Sequence, residues 1–286
     1  MNNTHSSAIE PHPTSAGVAT SPPEAPKMKV RAKASLAWIT TPVILILFLV
    51  GWSWYVDYSG TSRFLLPKPQ AIGLALWDLL HQDYFYAAFY ITVTEILVGF
   101  SLAIVIGATL GVMLGSSRLL DQVAAPFIIG SQVTPKVALM PLFILWLGFG
   151  MESKIAMVTL LSFFPIMKST ILGVRSIQPD QRALFKVIRA SRWKRLTSLE
   201  IPAVLPYLLT GVETGSVLAV TGAIVGEYLG GSEGLGALVV KTLNALMVEH
   251  MFATIVALAA FGFVFYGSIS SLRKVLVSWH DSSTDE

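Results

Sequence analysis

The chain has 286 residues, 53% hydrophobic and only 13% charged, with a formal net charge of +3 and no cysteine. A water-facing domain carries about 25% charged residues, so this composition excludes an ordinary soluble enzyme. The absent thiols exclude a disulfide framework, thiolate metal sites and a cysteine nucleophile, and the long uncharged windows exclude a nucleic-acid binder with a basic stripe.

The first 26 residues or so read as a disordered tail, because Pro11, Pro13, Pro22, Pro23 and Pro26 stand among Ser, Thr and Asn with little to bury. His5 and His12 read there as solvated side chains. The tail extends to residue 35 through the cluster Lys27, Lys29, Arg31 and Lys33, and the uncharged apolar run 36–56 follows. No small-residue cleavage site comes after it, so the run predicts a spanning helix and not a signal peptide. Segment 57–90 holds Leu66-Pro67-Lys68-Pro69 and then Trp77, Tyr84, Tyr86 and Tyr90, a density of aromatics that predicts a helix lying in the membrane interface. His81 has only Asp78 at helical spacing, which gives it no metal or pH role.

Five further spans follow at 96–117, 122–151, 155–174, 203–228 and 251–272. Each can cross about 30 Å at roughly 1.5 Å per residue. The stretch 122–151 is too long for one straight crossing and carries Pro126, Pro135 and Pro141, so it predicts a broken helix. The fold class is thus an all-α integral membrane protein of six transmembrane helices over 36–275, with a short tail at 276–286.

Six crossings put both termini on one side, and the charges sort accordingly. Fourteen of the 20 basic residues fall on that side, seven of them between Arg175 and Arg195. Arg63, Lys68, Lys154 and Lys241 fall on the other, and Lys136 and Lys168 lie within spans. The positive-inside rule then places both termini and the 175–202 loop in the cytoplasm.

Gly107, Gly111 and Gly115 stand four apart, as do Gly211 and Gly215, and Gly222, Gly226 and Gly230. Small residues at this spacing let helix backbones approach, so the second and fifth spans belong inside a bundle. Glu95, Lys136, Lys168, Glu213 and Glu227 each cost several kcal/mol if they face lipid. They read either as structural ion pairs or, for Lys136, Lys168, Glu213 and Glu227 together with Thr221, as a translocation path or gate.

The loop at about 178–202 joins apolar Leu184, Val187 and Ile188 at helical spacing to dense positive charge, an amphipathic helix pair suited to anionic lipid or to a groove on a partner protein. Here the sequence resembles the inner-membrane permease subunits of type I ABC importers, in the group that takes up nitrate, taurine, alkanesulfonates, some vitamin precursors and aromatic acids. The resemblance spans about residues 60–275. It rests on Leu66-Pro67-Lys68-Pro69, Thr134-Pro-Lys-Val-Ala-Leu-Met-Pro141 continuing to Leu145-Trp-Leu-Gly-Phe-Gly150, Phe163-Phe-Pro165, Ala190-Ser-Arg-Trp193 leading to Ile201-Pro and Pro206, and Gly222-Ala-Ile-Val-Gly-Glu227-Tyr-Leu-Gly230 with Gly234-Leu-Gly236.

The resemblance implies the type I ABC importer permease fold, with a coupling segment that docks on a separate ATPase: Ala183, Leu184, Phe185, Val187, Ile188, Arg189, Ala190, Ser191, Arg192 and Trp193. It implies a permease homodimer in the bacterial inner membrane, two ATPase copies beneath and an extracytoplasmic solute-binding protein. The solute expected is a small anion such as a sulfonate, nitrate or an aromatic carboxylate. No cofactor is expected on this chain, and ATP and Mg belong to the ATPase. The chain has no GxxxxGK[ST] phosphate loop and so does not hydrolyse ATP itself. One departure stands out: the family's Glu-Ala-Ala and following Gly are replaced by Ala183-Leu184-Phe185 and Arg189. If that glycine occupies a positive-φ turn, Arg189 costs about 1 kcal/mol there, or the turn is built differently.

An ion-coupled secondary transporter or channel is the alternative; it predicts an inverted repeat, and the sequence shows none that is clear. An intramembrane hydrolase lacks its parts: there is no HExxH, and the five histidines are scattered at 5, 12, 81, 250 and 280.

Overall fold

The computed structural model describes residues 31–277, with side chains from Thr40 onward. The readings for the N-terminal tail up to residue 30, with His5, His12, Lys27 and Lys29, and for residues 278–286 lie outside the described residues. Among the described residues every regular element is helical, eleven α-helices with a 3-10 turn and a π-turn between them. They are α1 (Arg31–Ser59), α2 (Pro69–Leu79), α3 (Asp83–Ser116), α4 (Arg118–Val133), α5 (Met140–Leu147), α6 (Met151–Arg175), α7 (Pro179–Val187), α8 (Arg192–Arg195), α9 (Ile201–Gly230), α10 (Leu235–Asn244) and α11 (Val248–Leu276). Five runs are long and apolar enough to cross a membrane, and the count reaches six when the bent pair α4 and α5 is taken as one span.

The chain divides into two compact units at Val50 and Gly51. In the first, the described part of α1 exposes Val43 through Val50, an apolar surface of the kind lipid covers. The second unit contains everything from Gly51 onward.

At the centre of that unit α6 packs against α3 on one flank and α9 on the other, and glycine makes both approaches possible. A Cβ on Gly99 would sit 2.7 Å from the Val158 Cβ, and one on Gly115 2.7 Å from the Val174 Cβ. On the α9 side, Cβ atoms on Gly211 and Gly222 would come within 2.9 Å of the Ile166 and Val158 backbone. Real Cβ atoms do not approach this closely, so the four-residue glycine steps decide the packing, where contact and not water exclusion holds helices together. Ile96, Phe100 and Ala103 of α3, Val158 and Ile166 of α6, and Val212, Ala219 and Ala223 of α9 form the buried core between them. Phe261 and Phe265 of α11 close it from outside, edge-on to Phe89 and Phe100 with ring centres 5.5 Å apart.

The expected break in the third span falls between α4 and α5, whose axes bend by 91°. Pro135 causes it: the residue before a proline is pushed out of the α region, and Thr134 accordingly has ψ 127°. The polypeptide then makes a 3-10 turn, Lys136–Leu139, and restarts with Pro141 in the first turn of α5. The segment expected to lie in the interface forms α2 and the start of α3. Ile72, Ala75 and Leu79 of α2 pack with Phe85, with Leu235, Leu238 and Val239 of α10, and with Ala253 and Leu258 of α11.

Candidate functional site

The antiparallel run of α6 and α9 gives the bundle two ends, one holding residues 175–200 and the other residues 151–154 and 227–236. Both carry features that the packing alone does not require.

At the first end α7 begins with a capping box between Gln178 and Gln181 and stops at Ile188. The stop is a Schellman turn: Ala190 N–H donates to Phe185 O at 3.1 Å and Arg189 N–H to Lys186 O at 3.0 Å. This turn needs a left-handed residue, and Arg189 has φ 51°. Arginine thus occupies a position that favours glycine, at a cost of about 1 kcal/mol. The hydroxyl of Ser191 then accepts from Lys194 N–H at 3.2 Å and caps α8.

The helix α7 is amphipathic with its apolar face outward. Arg182 and Lys186, one turn apart, line a cavity against the bundle. Leu184, Val187 and Ile188 point elsewhere and stay exposed, Val187 at 79% and Trp193 of α8 at 72%. A helix pair solvated on its own would reverse this arrangement.

The helix continues without a break from Arg192 to Gly230, α8 running through the π-turn Leu196–Glu200 into α9. Pro202, which has no N–H to donate to the preceding turn, lies just after that irregularity. At roughly 1.5 Å per residue this rod is about 58 Å long and joins Trp193 to the opposite end.

At that end three ionisable side chains are buried together. Lys154, in the first turn of α6, is 3% exposed and its Nζ lies 3.2 Å from Glu95 Oε1, which is fully buried. The charge count placed Lys154 on the side opposite the 175–202 loop; it lies at that end of the bundle, buried with its stem against Gly226. Glu227 stands beside Glu95, in contact with it, and has further ties of its own. Its carboxylate accepts from the Thr92 hydroxyl and from Gly236 N–H, both at 2.5 Å, while Leu235 N–H donates to Thr92 Oγ1 at 2.8 Å. Gly234, at φ +99°, is required twice over, since a side chain there would be strained and its Cβ would collide with the Glu227 carboxylate. Gly234-Leu-Gly236 is therefore the seat of Glu227.

The other charged candidates are placed apart from this cluster. Glu213 pairs with Arg273 Nε at 2.9 Å, joining α9 to the end of α11. Lys136 lies over the Phe164 ring at 4.9 Å, Lys168 donates to Gln132 Oε1 at 3.0 Å, and Thr221 bonds back to Val217 O on an exposed face of α9. His81 bonds the Trp77 carbonyl at 2.7 Å, and no group of metal-binding side chains occurs among the described residues. Sequence reasoning missed Thr92 and the pair His250 and Asp78, 3.1 Å apart.

Residues 85–277 match the family of binding-protein-dependent transport system inner membrane components. The chain belongs to this family of ABC importer permeases. Among its relatives, the riboflavin transport permease of Chloroflexus aurantiacus is 36% identical over 89% of this chain and 96% of its own length. The formylaminopyrimidine transport permease of Halalkalibacterium halodurans is 31% identical over 86% and 98%. The taurine transport permease of Escherichia coli is 26% identical over 82% and 88%. This permease is thus a multi-pass inner-membrane transport component, like its relatives, and the Arg189 turn and the Glu227 seat both fall within the matched region.

Proposed function

We propose that the permease is the membrane half of an ATP-driven importer and that α7 and α8 are its coupling segment, docking residues 183–193 on a separate ABC ATPase. The observation that carries this reading is the outward apolar face of Leu184, Val187, Ile188 and Trp193, the last of them on the continuous helix that enters the bundle. Two ATPases, a second permease copy and a solute-binding protein complete the assembly, with both termini and α7 on the cytoplasmic side. ATP and Mg act in the ATPase, whose closure pushes α8, and the continuous rod moves α9 between two packings. The test is uptake: replacing Ser191, Arg192 and Trp193 together with glycine abolishes ATP-dependent transport while membrane insertion is kept. Full uptake by that variant overturns the assignment.

For the solute, the more similar relatives carry planar nitrogen heterocycles by name, riboflavin and formylaminopyrimidine, which supports a cargo of that class. A small anion remains the second reading, supported by the taurine and nitrate relatives and by Lys136 and Lys168. Lys136, Lys168 and Thr221 are not buried and serve in this reading as path residues; Glu213 and Glu227, already tied within the bundle, act as gate points and not as solute ligands. Competition for uptake between riboflavin and taurine separates the two classes.

A further inference from the structure

Behind α7 lies a cavity of about 550 Å³ that the transport reading does not use. Its floor is apolar, built from Val112 of α3, Val174 and Ile177 at the end of α6, and Leu205 and Leu208 of α9. Its rim carries Arg182, Lys186 and Arg195 against a single carboxylate, Glu200. Arg195 is paired with Glu200 at 2.9 Å, and Arg182 donates one of its five N–H groups to the Val174 carbonyl at 2.9 Å. The Lys186 ammonium has no partner among the described residues. The site thus holds two positive charges in excess at its edge. It is open, since Val112, Leu196 and Ile201, all on its wall, remain exposed.

An occupant must be apolar along its length and anionic at its head. A free anion leaves the floor uncovered, and a wholly apolar segment leaves the rim uncompensated. Basic pockets between membrane helices meet both demands with acidic lipid. We propose that this cavity binds an acidic phospholipid, its phosphate at Arg182, Lys186 and Arg195 and an acyl chain on the Val112 to Leu208 floor. Such a lipid would brace α7 and α8 against α3, α6 and α9, on the face opposite the outward apolar residues.

The test is native mass spectrometry of the full chain in a neutral detergent, titrated with phosphatidylglycerol or phosphatidylcholine of matched chains. The wild type should retain phosphatidylglycerol in preference. Lys186→Glu changes the rim by two charges at a side chain with no internal tie and should lower that preference by about 30-fold. Leu196→Trp fills the cavity wall with the rim intact and should lose the lipid as well, whereas Leu184→Ala with Val187→Ala on the opposite face should keep it. Equal retention of the two lipids by the wild type, or an unchanged preference in Lys186→Glu, overturns the proposal. So does displacement of the lipid by equimolar glycerol phosphate, which would mark a site for free phosphate.

Discussion

The Glu227 carboxylate, at the end of α9, accepts the backbone N–H of Gly236 at 2.5 Å across a turn that only glycine can make at position 234. The same carboxylate takes the Thr92 hydroxyl of α3, so a single side chain fastens α9, α10 and α3 at one end of the bundle. Since α9 is continuous with α8, the fastened end and the end that carries Trp193 belong to one helix.

Gly234→Ala should therefore disrupt this end more than any ordinary glycine substitution. The positive φ alone costs about 1 kcal/mol, and displacing the carboxylate leaves buried N–H and hydroxyl groups unpaired at about 1–3 kcal/mol each. A fall in thermal midpoint of the purified protein well beyond that of Gly73→Ala, where an added Cβ meets nothing within 4 Å, is the expected result.

Lys154→Met takes away the 3.2 Å partner of Glu95 and should destabilise the fold, because the buried carboxyl must then be neutralised or left without its counter-ion. Combining it with Glu95→Gln should recover much of the loss. The double-mutant cycle, read by denaturant or thermal unfolding in detergent, should give a coupling of the kind found for contacting residues. Additive effects would show that the 3.2 Å pair carries no energy.

Arg189→Gly should stabilise the α7 turn by up to about 1 kcal/mol, since the left-handed residue of a Schellman turn is where glycine is least strained. Limited proteolysis within 186–192 should slow in this variant, with uptake retained. Arg189→Val, a β-branched residue at φ 51°, should accelerate it.

The His250 ring bonds Asp78 at 3.1 Å and holds its carboxyl below the ordinary value of 3.8. A carboxyl whose folded value is depressed stabilises the fold above its unfolded value, and that contribution is lost as pH falls through the folded one. The thermal midpoint of Asp78→Asn should thus lie below wild type at neutral pH, and the gap should narrow as the pH falls from the ordinary 3.8 and close below the lowered folded value. Asp78 is exposed, so the neutral-pH gap is small.

Much of this architecture was legible along the chain, and the reason is periodicity. The apolar runs, the four-residue glycine steps of α3 and α9, and Pro135 in an over-long span each carry a local signal that survives folding unchanged. Partner choice does not. Spacing along a helix says which face Glu95, Glu213 or Glu227 occupies, but not that Lys154, Arg273 and Gly236 come to meet them. The burial of Lys154 was not legible, because a cation near a span boundary looks the same whether it faces water or a buried carboxylate. Thr92 gave no signal at all, being an apolar-flanked threonine whose role depends on Leu235, 143 residues away. At Arg189 the residue type hides the turn, since the backbone there takes a left-handed conformation that favours glycine.

The central claim is that the outward apolar face of α7 and α8 is where the permease meets its motor. Co-purification of the ABC ATPase with the tagged full chain, comparing wild type with Leu184→Asp and Val187→Asp together, tests it most directly. The account predicts that the variant inserts in the membrane and keeps its thermal midpoint but loses the ATPase. Retention of the ATPase at wild-type levels by a correctly inserted variant would contradict it.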